Sequence, residues 1–138
     1  EQWDDFEKGQ SAKDPLKKSF VPLGRKIHDL IIAAFKEQNL PYEVKYGGET
    51  FSFSLPKENA KSRATTCVRF GLINTITKKC YLESLYKDAS EELPKGAKYR
   101  KKDDFTLYEF LFATGEDFEK VKQEISQSVI RSYKFLAK

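Results

Sequence analysis

Five cations stand within the segment Lys95 to Lys102: Lys95, Lys98, Arg100, Lys101 and Lys102, grouped around Tyr99. Cations at this density can neutralise phosphates and release their counterions, and a tyrosine among them can stack on a base. The chemistry on offer is contact with nucleic acid. The competing use of the same residues is a solvated surface loop, its charge balanced by Asp103 and Asp104. Lys57, Lys61, Arg63, Lys78 and Lys79 lie in further connections between apolar segments. Brought to the same end of the fold as residues 95–102, they would form one extended positive surface.

Other combinations reduce to structural roles. Glu43-x-Lys45 has the form of the acid-x-lysine half of a magnesium-dependent nuclease site, but no strand carrying a partner acid precedes it. Its spacing is that of a solvated strand face. His28 is the single histidine, and its helical phase sets it beside Ile27 rather than squarely on the apolar stripe. It has no Cys or acid at a spacing that would make a nucleophile–base pair or a metal centre. Ser19, Ser52 and Ser54 lack a nucleophile elbow. Cys67 and Cys80 sit in apolar strand-like segments and read as small buried hydrophobes, with a disulfide between facing strands as the alternative. Neither has a second ligand nearby for a metal. Glu109 interrupts an apolar strand, so it is expected to be buried and matched by a Lys or Arg, a functional cleft being the alternative. No catalytic residue, metal ligand or small-molecule cofactor is expected.

The elements that would position these residues follow from periodicity. Residues 1–13 read as a polar arm or short helix, and Asp14-Pro15 begins a helix with Asp as N-cap. Apolar residues from Leu16 to Phe35 keep to one helical stripe, broken by Pro22 and ended by Asn39 and Pro41. Tyr42, Val44 and Tyr46, then Phe51, Phe53 and Leu55, alternate as a hairpin. With Gly47-Gly48 as a two-residue turn of type I′, Val44 faces Phe51 and Tyr42 faces Phe53. Thr65 to Ile76 and Lys79 to Tyr86 are longer strands, Asp88 to Asp104 is a surface loop, and Phe105 to Ala113 is a well-covered last strand. Thr114-Gly-Glu-Asp117 resembles a capping box that opens a helix with Phe118, Val121, Ile125, Val129, Tyr133 and Leu136 on its apolar side. The expected fold is α+β: residues 14–138 form one domain, an antiparallel sheet of four to five strands with an N-terminal and a C-terminal helix packed on one face.

Composition supports a self-sufficient core. The chain has 138 residues, 39% hydrophobic and 14% aromatic, with 11 Phe and 7 Tyr, enough large side chains to fill a domain interior without metals or disulfides. Its longest apolar run, Leu30 to Phe35, is too short to cross a bilayer, and no signal-peptide pattern opens the chain, so a cytoplasmic protein with no membrane partner is expected. The chain begins at Glu1 and contains no Met, which points to a piece of a larger protein. The net charge of +4 fits an acidic partner and ordinary solubility equally.

From Leu23 onward, the segments Lys78-Lys79-Cys80-Tyr81-Leu82 and Thr114-Gly-Glu-Asp-Phe118-Glu-Lys-Val121, and the order of elements around them, resemble a small bacterial domain of unknown function. That domain is often described as a predicted transport protein and occurs beside nuclease or restriction-type modules. Lys95 to Asp104 stands where its aromatic-glycine segment would be. The resemblance implies an accessory domain that contacts nucleic acid, not an enzyme. Residues and resemblance together lead to a non-catalytic binding domain of a larger nucleic-acid-processing or defence protein. The alternative is an immunity- or inhibitor-type module that binds a partner protein through an edge strand or an aromatic patch.

Overall fold

A computed structural model of the chain describes residues 3, 4, 7, 15–47, 50–74, 76–102 and 105–138, apart from the side chains of 16, 17, 72–74 and 99–102. Helix α1 (Pro15–Ser19) and helix α2 (Val21–Glu37) are separated at Phe20. Pro22 imposes the separation: near the start of α2 its missing N–H is not needed, whereas inside a continuous helix it would break the ladder. Asp14, expected as the cap, lies outside the described residues. At the other end, the Leu40 N–H donates to the Phe35 carbonyl at 2.9 Å and the Asn39 N–H to that of Lys36 at 3.1 Å. Asn39 takes a φ of 54°, the left-handed turn that closes a Schellman motif.

Helix α3 (Gly115–Leu136) opens on the expected capping box. The Asp117 N–H donates to the Thr114 hydroxyl at 3.3 Å, and the Asp117 carboxylate accepts from the backbone N–H of Ala113 at 2.9 Å and of Thr114 at 3.1 Å. These bonds, the one from Ala113 foremost, hold the Asp117 carboxyl below its ordinary value of 3.8. Their contribution is therefore complete above that pH and is lost as the pH falls below it. Thr114→Ala should lower the unfolding free energy by about 1 kcal/mol in a urea titration at neutral pH. An unchanged midpoint would show that the box adds nothing.

Six strands form one antiparallel sheet: β1 (Glu43–Tyr46), β2 (Thr50–Ser54), β3 (Thr66–Asn74), β4 (Lys79–Asp88), β5 (Ala97–Lys102) and β6 (Phe105–Phe112), in the order β1-β2-β3-β4-β6-β5. The sequence accounts for all but β5, which lies within the expected loop. Four of the six residues of β5 are cationic, so it carries no apolar alternation. Its backbone nevertheless pairs with β6, from Ala97 opposite Phe110 to Lys102 opposite Phe105. A terminal strand needs little apolar surface, and lysines on it discourage pairing with other chains.

The first hairpin also departs from expectation. Val44 pairs with Phe53 and Tyr46 with Phe51, two residues from the expected register, and the Gly47 N–H donates to the Thr50 carbonyl at 2.7 Å. Gly47 is thus a closing position of the turn, and Gly48-Glu49 lie outside the described residues. A slip of two preserves side-chain parity, so Phe51 and Phe53 still enter the core.

Helices α2 and α3 cover one face of the sheet. Ile27, Ile31 and Phe35 from α2, and Phe118, Ile125 and Val129 from α3, close over Phe51, Phe53, Phe70, Leu82, Phe110 and Phe112. His28, expected off the stripe, is buried: its Nε2 lies 2.7 Å from the Tyr46 hydroxyl and its Nδ1 3.0 Å from the Asp29 carboxylate. Trp3 is buried against it, ring centroids 4.8 Å apart, with the Arg25 guanidinium over the indole at 5.5 Å. A tilted aromatic pair capped by a cation fixes Trp3 to the body of the domain.

Strands β3 and β4 part towards the start of β3. A shift of register and the positive φ of Ser84, 68°, take β4 away, and the end of α3 fills the fork. The Ser132 hydroxyl accepts from the Tyr86 N–H at 3.0 Å and donates to the Cys67 carbonyl at 2.6 Å, joining backbone groups of the separated strands. Beyond α3, Ala137 forms a bridge with Ala60.

Candidate nucleic-acid interface

The register places the sequence-derived cations at two ends of the sheet. Residues 57–63, between β2 and β3, lie at the fork end with Lys101 and Lys102, the last residues of β5. Lys78, Lys79 and Lys95 lie at the opposite end, where β3 turns into β4 and β5 begins. The eight residues of β6 separate the ends by about 24 Å. One continuous surface of all these residues is therefore not formed. At the far end Lys78 is exposed in its turn, with φ 59°, and the charge of Lys79 bears on the Asp117 carboxylate.

Lys98 and Arg100 stand along β5 between the two ends, and the fork end collects the rest. A hollow of about 660 Å³ is lined by Lys57, Lys61, Ser62, Arg63 and Thr65, with Leu55, Ala60 and the carboxylate of Glu43. Its shape follows from local chain geometry. Pro56 ends β2, a single 3-10 turn spans Lys57–Asn59, and the Lys61 N–H donates to the Leu136 carbonyl, which ties the connection to the end of α3.

Aromatic rings not expected as site residues continue this surface. The Lys61 ammonium lies 4.9 Å from the centre of the Phe135 ring. Phe135 stacks on Tyr86 with centroids 5.6 Å apart and planes at 11°, and Phe105 packs edge-on against Phe135 at 5.7 Å. All three rings are half-buried. Phe105 pairs in register with Lys102, and the next residue of the same parity, Leu107, with Arg100. A chain of contacts therefore runs from the basic hollow, over Phe135 and Phe105, to the end of the basic strand. Two of these aromatics were legible only as strand residues and the third as part of a terminal helix. Their meeting depends on the fork, which periodicity does not encode.

Glu109 is half-buried on the face away from the helices and pairs in register with Lys98, so a basic residue stands opposite it as expected, but at an outer strand position and not in the core. On that same face Arg69 and Glu83 form a cross-strand ion pair at 3.1 Å. Glu43 and Lys45 are both exposed on β1. Asp88, exposed, stands opposite Phe105, whereas Asp103 and Asp104 lie outside the described residues. Among the described residues no group of three His, Cys, Asp or Glu is placed to hold a metal ion, and no helix is long and apolar enough to cross a membrane.

What this surface can do chemically is bind a polyanion: it offers a hollow lined by cations and hydroxyls, rings beside it, and basic strand positions beyond them. Compared with protein families, curated proteins and solved structures, the chain matches none.

Proposed function

We propose that this chain is a non-catalytic, cytoplasmic binding domain that contacts nucleic acid as an accessory part of a larger nucleic-acid-processing or defence protein. The observation that carries the reading is the convergence at the fork end. Lys57, Lys61 and Arg63 line one hollow, Lys61 reaches the ring row at Phe135, and the strand positions of Arg100 and Lys102 on the terminal strand β5 stand opposite Leu107 and Phe105. Phosphate contacts of this kind supply affinity without reading sequence. Lys95, Lys98 and Tyr99 belong to the same strand and its lead-in, and Lys78 and Lys79 are assigned at most a peripheral contact from the far end.

A fluorescence anisotropy titration against a labelled oligonucleotide over a salt series tests the reading. Affinity should fall linearly on a log–log plot as salt rises, and Lys61→Glu should weaken binding about tenfold at low salt while reducing the slope. Binding that ignores both salt and the substitution would sink it. The position of β5 at the sheet edge favours a second reading, a partner protein that adds a strand there. That reading gains if nucleic acid is not bound and substitution of Tyr99, within β5, by proline abolishes capture of a cognate partner.

A further inference from the structure

We infer that the nucleic acid this domain takes is single-stranded, its bases stacking on the ring cluster of Tyr86, Phe105 and Phe135 while its backbone runs between the basic hollow and β5. The inference rests on the nucleic-acid reading and adds the class of substrate.

Two physical requirements separate a single strand from a duplex. Unpaired bases expose their faces, and every base has such a face, so a platform of rings captures single strands with little regard to sequence. In a duplex those faces are occupied by neighbouring pairs, and only phosphates and groove edges are offered. The fork end supplies rings, not a groove reader. The Tyr86–Phe135 stack, the edge-on Phe105 and the Lys61 ammonium over Phe135 form one half-buried cluster, and the helix that reaches it, α3, arrives with its C-terminal turn, tied at Leu136 to the Lys61 backbone. One contact and the strand register set basic positions on two sides of the rings. Lys61 reaches the cluster from one side, and the strand positions of Arg100 and Lys102 adjoin it on the other, opposite Leu107 and Phe105. A backbone that runs from Lys61 toward these strand positions keeps its bases over the rings. Two described carboxylates border this path, Glu43 in the lining of the hollow and Asp88 opposite Phe105, whose oxygen accepts from the backbone and hydroxyl of Ser90.

The test compares a labelled oligothymidine of about 12 nucleotides with a duplex of equal length, using the full chain and the variants Phe105→Ala and Phe105→Trp. The single strand should bind about tenfold more tightly than the duplex. Phe105→Ala should weaken the single strand about tenfold and the duplex by a much smaller factor, whereas Phe105→Trp should retain affinity. Circular dichroism melting checks that each variant folds. An independent readout needs no variant: 2-aminopurine placed within the oligonucleotide should change its fluorescence on binding the native protein, as its stacking partners are exchanged. Equal affinity for duplex and single strand, or an unchanged 2-aminopurine signal on a bound strand, would overturn this inference while salt-dependent binding kept the broader reading. No binding to either probe at low salt would overturn both.

Discussion

Replacing Ser132 with alanine should lower the unfolding free energy by about 3 kcal/mol, more than a hundredfold in the folding equilibrium. The serine is fully buried, and its hydroxyl answers two backbone groups at once, the Tyr86 N–H and the Cys67 carbonyl. These groups belong to strands that have already parted, so neither can turn to the other when the hydroxyl is removed. The Cys67 carbonyl is left buried and the Tyr86 N–H partly so, and an unmade hydrogen bond inside a protein costs roughly 1–3 kcal/mol. Ser128 is the comparison: it is buried one turn earlier on α3, and its hydroxyl bridges no backbone pair among the described residues. Ser128→Ala should cost under about 1 kcal/mol. Urea titrations of the two variants decide the matter, and equal losses would show that the bridge carries no special weight.

The bridge also marks the limit of what patterning reveals. Strands β3, β4 and β6, and the helices with their proline break, Asn39 stop and capping box, are readable because each rests on local periodicity or local hydrogen bonding. Strand β5 is not, because a charged edge strand has no apolar signal and is specified by pairing alone. The hairpin register escaped for a related reason: two turns differing by two residues satisfy the same hydrophobic parity, so parity cannot choose between them. His28 illustrates a third failure. A histidine off the apolar stripe becomes core once Tyr46 and Trp3 close over it, and Trp3 arrives from a segment without its own period. Of the site, the cations were legible by type. Tyr86, Phe105 and Phe135 were not, since only the fork brings a terminal helix to the end of β4.

Both cysteines should resist thiol reagents in the native state. Burial pushes the Cys67 and Cys80 thiols up from 9.0 to about 12, and each S–H donates to a backbone carbonyl, that of Phe53 at 3.4 Å and of Phe112 at 3.5 Å. Near pH 8 the thiolate fraction is then about 1,000-fold below that of an exposed cysteine, before access is considered. Labelling with a chromogenic disulfide at pH 8 should proceed only as fast as the domain opens, and denaturant should release two equivalents at once. Rapid stoichiometric labelling of the native protein would contradict this. The same shift sets an alkaline limit. The raised folded values leave stability intact below pH 9, and because the unfolded chain then holds fewer protons, each thiol subtracts about 1.4 kcal/mol per pH unit between 9 and 12.

Trp3 is the sole tryptophan of the chain and is enclosed by His28, Tyr46 and Phe51. Nearly all the emission excited at the red edge of the protein's ultraviolet absorption must therefore come from one place, where the leading segment, helical at Trp3, Asp4 and Glu7, meets the β1–β2 hairpin. An optical signal that looks global is in fact a local gauge of whether that leading segment is seated.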